Sequence, residues 1–166
     1  MTRQVWEDKM SLQKELGFQR PIENPLHAAV LSVVLTGSLL VKEGHRIMRP
    51  FGITDAQFNV LMLLKYQSDD GELNQTALGR MLLVNRSNIT GLTDRLEQAG
   101  LVRRVMDTTD RRVNRVRLTP KGRSVLDRAE QAYFARVQEI MGTLSEKENM
   151  QLITFLERIR KALRTR

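Results

Sequence analysis

Asn74 to Gly122 reads NQTALGRMLLVNRSNITGLTDRLEQAGLVRRVMDTTDRRVNRVRLTPKG, and the order of parts within it decides the fold. Asn74 is a side-chain cap for a short helix from Gln75 to Leu82, with Leu73 and Leu78 spaced as an apolar staple across the helix start. Asn85, flanked by Val84 and Ile89, repeats that chemistry and opens a second helix from Arg86 to Ala99. Gly100 closes it as a left-handed C-cap, with Leu101 placed for the accompanying apolar contact. Leu101 to Met106 and Val113 to Leu118 are short runs with β-branched residues, separated by the polar stretch Asp107 to Arg112. That pattern spells a hairpin with a charged tip. Thr119 then caps a further helix with Pro120 at its first position, where the missing N–H costs nothing and φ is preset.

Within Arg86 to Ala99, Ile89, Leu92 and Leu96 have the spacing that docks one helix face onto a core. Arg86, Ser87, Asn88, Thr90, Gly91 and Arg95 are left for the outward face and the leading turn. Arginine can pair bidentately with guanine, asparagine with adenine, and the threonine methyl can meet a thymine methyl. Ser87 and the free backbone amides of the first turn suit phosphates. The hairpin adds Arg103, Arg104, Arg111, Arg112, Arg115 and Arg117. Arginine is favoured over lysine in a narrow minor groove and for fork-like phosphate contacts. Arg103 and Arg104 are adjacent in a strand and so face opposite sides. Singly, each of these residues also suits a solvated polar face, but their concentration at one helix start and one hairpin favours nucleic acid. The expected fold is mainly α, an α+β winged helix, with the second helix aimed at a major groove and the hairpin at the neighbouring minor groove.

Upstream, Thr54 and Gln57 form a capping box and Ile53 and Phe58 a staple, starting a helix from Asp55 to about Gln67. Asp69, Asp70 and Glu72 around Gly71 read as a turn before Leu73 rather than as catalytic acids. A helix from about Pro25 to Arg49 is apolar around most of its circumference between Ala28 and Val41, and ends before Pro50 and Gly52. Something must bury it, either a second subunit or, as the central helix of a monomer, the chain's own core. Its apolar run, interrupted by Ser32, Thr36, Gly37 and Ser38, falls short of the roughly 20 residues a membrane span needs. Residues 3–16 carry Val5, Trp6, Met10, Leu12 and Leu16 with Gly17 as a stop, which suits a weakly amphipathic arm or a frayed terminus. Downstream, a helix to about Met141 breaks near Gly142. The last helix opens on a Ser145–Glu148 capping box and carries Met150, Ile153, Leu156, Ile159 and Leu163 at helical spacing. The expected organisation is an arm (1–23), a dimerisation helix (24–52), a winged helix-turn-helix domain (53–119) and C-terminal dimerisation helices (120–166).

At 166 residues, with 41% hydrophobic and 28% charged, the chain supports a real core and is neither disordered nor fibrous. Its net charge of +8 favours a polyanionic partner, although charge alone also suits a membrane surface. The absence of cysteine excludes disulfides, thiol switches and Cys-ligated metal sites. His27 and His45 lie 18 residues apart on one helix and cannot share a metal, so no metal and no cofactor are expected. No nucleophile–base arrangement, phosphate loop or paired carboxylate site appears, so catalysis is not expected either. The eight methionines read as packing residues. No secretory signal pattern is present, and the expected location is the cytoplasm, without a membrane partner.

Leu78 to Val102, followed by Asp107 to Gly122, resembles the multiple antibiotic resistance regulator (MarR) family of bacterial transcription factors. The family pattern is matched at Asp94-Arg95-Leu96-Glu97, Gly100-Leu101-Val102, Asp110-Arg111-Arg112 and Val116 to Gly122, and the likeness extends to Gly52-Ile53-Thr54 with Gln57. The resemblance implies a homodimer with interlocked terminal helices, each subunit presenting one recognition helix and one wing to a pseudo-palindromic operator in double-stranded DNA. It implies major-groove contacts from Arg86, Ser87, Asn88, Thr90 and Arg95, and wing contacts from Arg111 and Arg112, with Arg112 in the minor groove. Asp110 would hold the wing in shape, because a bare carboxylate beside phosphates is repelled. Release by a small anionic or aromatic effector is implied too, in a crevice near Val41 to Met48, Phe58, Leu61, Met62 and the start of the helix after Pro120; no ligand residue is assigned. The expected function is therefore sequence-specific transcriptional regulation, by repression relieved by a ligand. A non-specific architectural DNA binder and a winged-helix protein-interaction module remain as alternatives.

Overall fold

The computed structural model describes residues 12–68, 71–82, 86–106 and 114–165, and its elements follow the capping signals closely. They are α1 (Leu12–Glu15), α2 (Pro25–Met48), a 3-10 turn (Arg49–Phe51), α3 (Asp55–Tyr66), β1 (Glu72–Asn74), α4 (Gln75–Leu82), α5 (Arg86–Gln98), β2 (Val102–Met106), β3 (Asn114–Leu118), α6 (Pro120–Met141) and α7 (Glu146–Arg164). Among the described residues the chain is thus helix-rich with one small antiparallel sheet. It divides into two compact units, Met1–Arg46 and Ile47–Arg166.

In the first unit, α1 stops at Gly17, whose φ of +69° is the left-handed conformation of a helix C-cap. The Phe18 N–H closes the turn on the Gln13 carbonyl at 2.8 Å. Val5, Trp6 and Met10 of the expected arm lie outside the described residues. Asn24 caps α2, its Oδ1 accepting from the Leu26 N–H at 2.9 Å. Only Ala28 and Met48 of α2 are buried, while Leu26, Val30, Val34 and Val41 are each more than half exposed.

Pro25–Phe51 is long and apolar enough to cross a membrane by length and composition. This corrects the expectation drawn from the interrupted run Ala28 to Val41. The interrupting hydroxyls cost little polarity, because a helix absorbs them: Ser38 Oγ donates to the Val34 carbonyl at 3.0 Å.

The second unit is built around one apolar cluster. Thr54 and Gln57 make the expected capping box, with Thr54 N–H donating to Gln57 Oε1 at 2.8 Å and Gln57 N–H to Thr54 Oγ1 at 3.2 Å. Ile53 and Phe58 are both buried beside that start. The core then takes Leu61 and Leu64 from α3, Leu78 from α4, Ile89, Leu92 and Leu96 from α5, Val102 and Val116 from the sheet, and Leu126 and Ala129 from α6.

One strand was not expected. Gly71 turns with φ of +78°, as read, but Glu72–Asn74 then pairs antiparallel with β3, Leu73 lying opposite Val116. Sheet order is β1-β3-β2. A strand of three residues carries no period of its own; pairing with β3 makes it. Asn74 ends the strand and caps α4, accepting from the Ala77 N–H at 2.7 Å.

At the other end, Asn149 closes the corner between α6 and α7 by donating to the Met141 and Leu144 carbonyls, both at 3.1 Å. α7 begins on the Ser145–Glu148 capping box and buries none of its own residues. Met150, Ile153, Phe155, Ile159 and Leu163 are exposed along it.

Polar groups join α3 to α6. Lys65 Nζ donates to Asp127 Oδ1 at 2.9 Å and to Glu130, and the Tyr66 hydroxyl donates to the other oxygen of Glu130. Burial works to raise the Glu130 carboxyl, but hydrogen bonds from Lys65 and Tyr66 outweigh it and hold Glu130 below the ordinary carboxylate value of 4.5. A lowered folded value contributes stability above the unfolded one, and that stability is lost as pH falls through the folded one. Glu130→Gln should therefore cost about 2 kcal/mol at neutral pH. The gap between parent and variant should close as pH drops below 4.5. Paired thermal melts across that range test this, and a gap independent of pH would remove the charge from the explanation.

Candidate nucleic-acid interface

α4 and α5 form the helix-turn-helix, with residues 83–85 of the turn outside the described set. The core face of α5 is as its spacing demands: Ile89 and Leu96 are fully buried and Leu92 nearly so. Its outward arc carries Asn88 and Arg95, both exposed, together with Thr90, Gly91 and Asp94, which are half-buried. Arg86 and Ser87 occupy the first turn of α5. Their position there agrees with the sequence reading. Asn85 and the wing-tip residues Asp110, Arg111 and Arg112 lie outside the described residues.

Thr93 is the residue that helical spacing alone did not reveal. It is fully buried on the core side of α5, and a hydroxyl in that place must be satisfied. Its Oγ1 lies 3.0 Å from the Ile89 carbonyl and 2.9 Å from that of Thr90, so it donates within its own helix. It accepts from Gln75 Nε2 at 2.8 Å and from Arg104 Nη2 at 3.1 Å. One hydroxyl thus links the first residue of α4, the middle of α5 and the strand β2.

Arg104 extends that link. Its backbone N–H donates to Glu97 Oε1 at 2.8 Å, and its guanidinium donates to the other Glu97 oxygen and to Asp94. Asp94 and Glu97 belong to the Asp-Arg-Leu-Glu run of α5. That run therefore fixes the recognition helix to the wing. One guanidinium thus pairs with both carboxylates and offsets one of their two negative charges.

The strand alternation expected for Arg103 and Arg104 holds, with different consequences for each. Register pairs Arg104 with the buried Val116, on the face that carries the clamp. Arg103 pairs with Arg117 on the other face and is exposed. Arg117 and Arg115 share that face with Glu72, which holds Arg117 tightly and lies 4.0 Å from Arg115. The sheet therefore presents a basic outer face, with one well-buried carboxylate ordering two of its arginines.

The wing is anchored below by the Thr-Pro-Lys-Gly run. Thr119 Oγ1 accepts from the Gly122 N–H at 3.0 Å and donates to the Gly100 carbonyl at 2.7 Å, while Lys121 Nζ reaches the Ala99 carbonyl at 2.7 Å. The free carbonyls at the end of α5 are thereby satisfied from the start of α6. Gly100 has φ of +70°, as its C-cap role requires.

Of the residues named for an effector crevice, Phe58 and Leu61 are core and Met62 packs against it. Among the described residues no group of three or more His, Asp or Glu could hold a metal ion.

The sequence model of the MarR family matches residues 53–113, from the start of α3 to the wing tip. The HTH-type transcriptional regulator MhqR of Bacillus subtilis is 34% identical over 108 residues, covering 65% of this chain and 72% of the relative. Among solved structures, Sco5413, a MarR family transcriptional regulator from Streptomyces coelicolor, matches with a TM-score of 0.72 at 28% identity, covering 84% of this chain and 95% of that one. MepR of S. aureus, solved as a DNA complex, matches with a TM-score of 0.72 at 23% identity, over 80% of this chain and 95% of that one. With a docked recognition helix, a clamped basic wing and these relatives, the chain belongs to the MarR family and is a DNA-binding transcriptional regulator.

Proposed function

We propose that the protein is a homodimeric, sequence-specific repressor that leaves its operator when a small aromatic or anionic effector binds. The observation that carries the reading is the recognition helix itself: an outward arc with Asn88 and Arg95 exposed, on a helix whose other face is sunk in the core and whose side is tied to the wing by Arg104. MepR, with the same fold, was caught on DNA. Arg86, Asn88 and Thr90 read base edges, and Ser87 and Arg95 meet phosphates beside them. Arg111 and Arg112 extend from the wing, Arg112 into the minor groove, with Asp110 shaping the tip.

Residues 24–52 and 120–166 make the dimerisation region, 53–119 the reading domain and 1–23 an arm. The exposed apolar residues of α2 and α7 support a second copy as their cover, because an apolar surface of this extent is costly in water. On this reading α2 meets protein rather than lipid, and the protein works in the cytoplasm through binding, without catalysis. Two reading helices related by a two-fold axis meet a pseudo-palindrome about one helical turn apart.

Selection of bound duplexes from a random pool, followed by salt titration on the enriched sequence, tests this. A two-fold symmetric consensus is expected. Asn88→Ala should then cost about 1–3 kcal/mol on that consensus. Arg112→Ala should weaken binding to many sequences, with a smaller change in preference. Equal retention of all duplexes with a steep salt slope would point to an architectural binder, and retention of none to a protein-binding module.

A further inference from the structure

Gly91 lies in the interior of α5, pointed away from the face formed by Ile89, Leu92, Thr93 and Leu96. Its φ is not among the positive ones, so backbone conformation does not require glycine there. A Cβ built at Gly91 would meet nothing within 4 Å, whereas one at Gly122 would strike the Leu101 carbonyl oxygen at 1.8 Å. Nothing among the described residues therefore needs glycine at this position. Glycine is nonetheless a poor choice for a helix interior, where alanine is the best former. A local rule broken with no gain to the fold marks a position chosen for function. Gly91 also sits within the proposed reading arc, between Asn88 and Arg95, the exposed polar residues of that arc.

We propose that Gly91 is the point where the α5 backbone comes closest to the base edges, and that its missing side chain is itself a specificity determinant. A Cβ would hold the helix axis off the groove floor by about 1.5 Å, the length of one carbon–carbon bond. Side chains flanking it would then lose the short, directional bonds that discriminate bases. Phosphate contacts, being electrostatic and less directional, would survive. The inference rests on the major-groove reading of α5 given above.

The test uses the full-length protein with Gly91→Ala and Gly91→Gln, and Asn88→Ala as reference. Each is titrated against the selected duplex and a scrambled duplex of equal length, and each is melted. Gly91→Ala should raise the melting temperature by about 2 °C. It should weaken the selected duplex about tenfold, Gly91→Gln should weaken it further, and the scrambled duplex should be bound as before. If Asn88→Ala loses affinity while Gly91→Ala stays within twofold of the parent, the reading helix stands and the close approach is wrong. If neither changes binding, the major-groove reading of α5 has failed and takes the inference with it. A Gly91→Ala variant that melts below the parent would show that the glycine serves the fold, which also overturns the inference.

Discussion

Gly122→Ala should destabilise the protein by about 3 kcal/mol or more, lowering the melting temperature by roughly 6–12 °C. The expectation runs against helix propensity, which by itself would favour alanine over glycine by about 1 kcal/mol near the start of α6. Geometry decides otherwise. An added Cβ would lie 1.8 Å from the Leu101 carbonyl oxygen and 2.8 Å from its carbon, and both are backbone atoms. A flexible side chain could swing aside, but this carbonyl is held. It accepts from the Thr119 N–H at 3.1 Å, and Leu101 itself is buried in the core. Relief would require lifting α6 off the junction between α5 and β2, which breaks the Thr119 bonds to the Gly100 and Leu101 carbonyls and the Lys121 bond to the Ala99 carbonyl. Thermal melting of the variant measures the loss, and a melting temperature equal to the parent's would mean that the junction yields at no cost.

The contrast between Gly122 and Gly91 shows what sequence can and cannot carry. Both are helical glycines, and nothing in the string of letters separates a backbone contact from an open face. Helix ends were legible because capping chemistry is local: Thr54, Asn74, Thr119 and Ser145 each accept from a backbone N–H within their own turn. The core face of α5 was legible because Ile89, Leu92 and Leu96 repeat with the helix. β1 was not, because its pairing partner lies more than forty residues away in sequence, opposite Glu72 at Arg117. Thr93 was not, because a buried hydroxyl breaks the apolar period and declares itself only through Gln75 and Arg104. Arginines of the hairpin all looked alike as letters. Register separates them into a clamp at Arg104, a pair ordered by Glu72, and the exposed Arg103.

That separation yields the second large effect. Arg104→Ala should abolish tight operator binding without Arg104 touching DNA. Removing the guanidinium leaves Asp94 and Glu97 on the recognition helix without their cation, and leaves Thr93 without one of its donors. The stability cost should be moderate, about 2 kcal/mol, because Asp94 is 47% and Glu97 37% exposed and water screens part of the loss. The binding cost should be larger. Two uncompensated negative charges beside phosphates oppose association, and a wing no longer pinned to α5 must be ordered at the moment of binding. Arg104→Lys should recover only part, since one ammonium cannot reproduce the forked contacts to both carboxylates and the hydroxyl. The decisive variant adds Asp94→Asn and Glu97→Gln to Arg104→Ala. If Arg104 acts by neutralising and positioning, the triple variant should bind the operator better than Arg104→Ala alone, with a salt dependence close to the parent's. If Arg104 were instead a phosphate contact, the triple variant would bind no better, and its salt slope would be shallower than the parent's by about one unit.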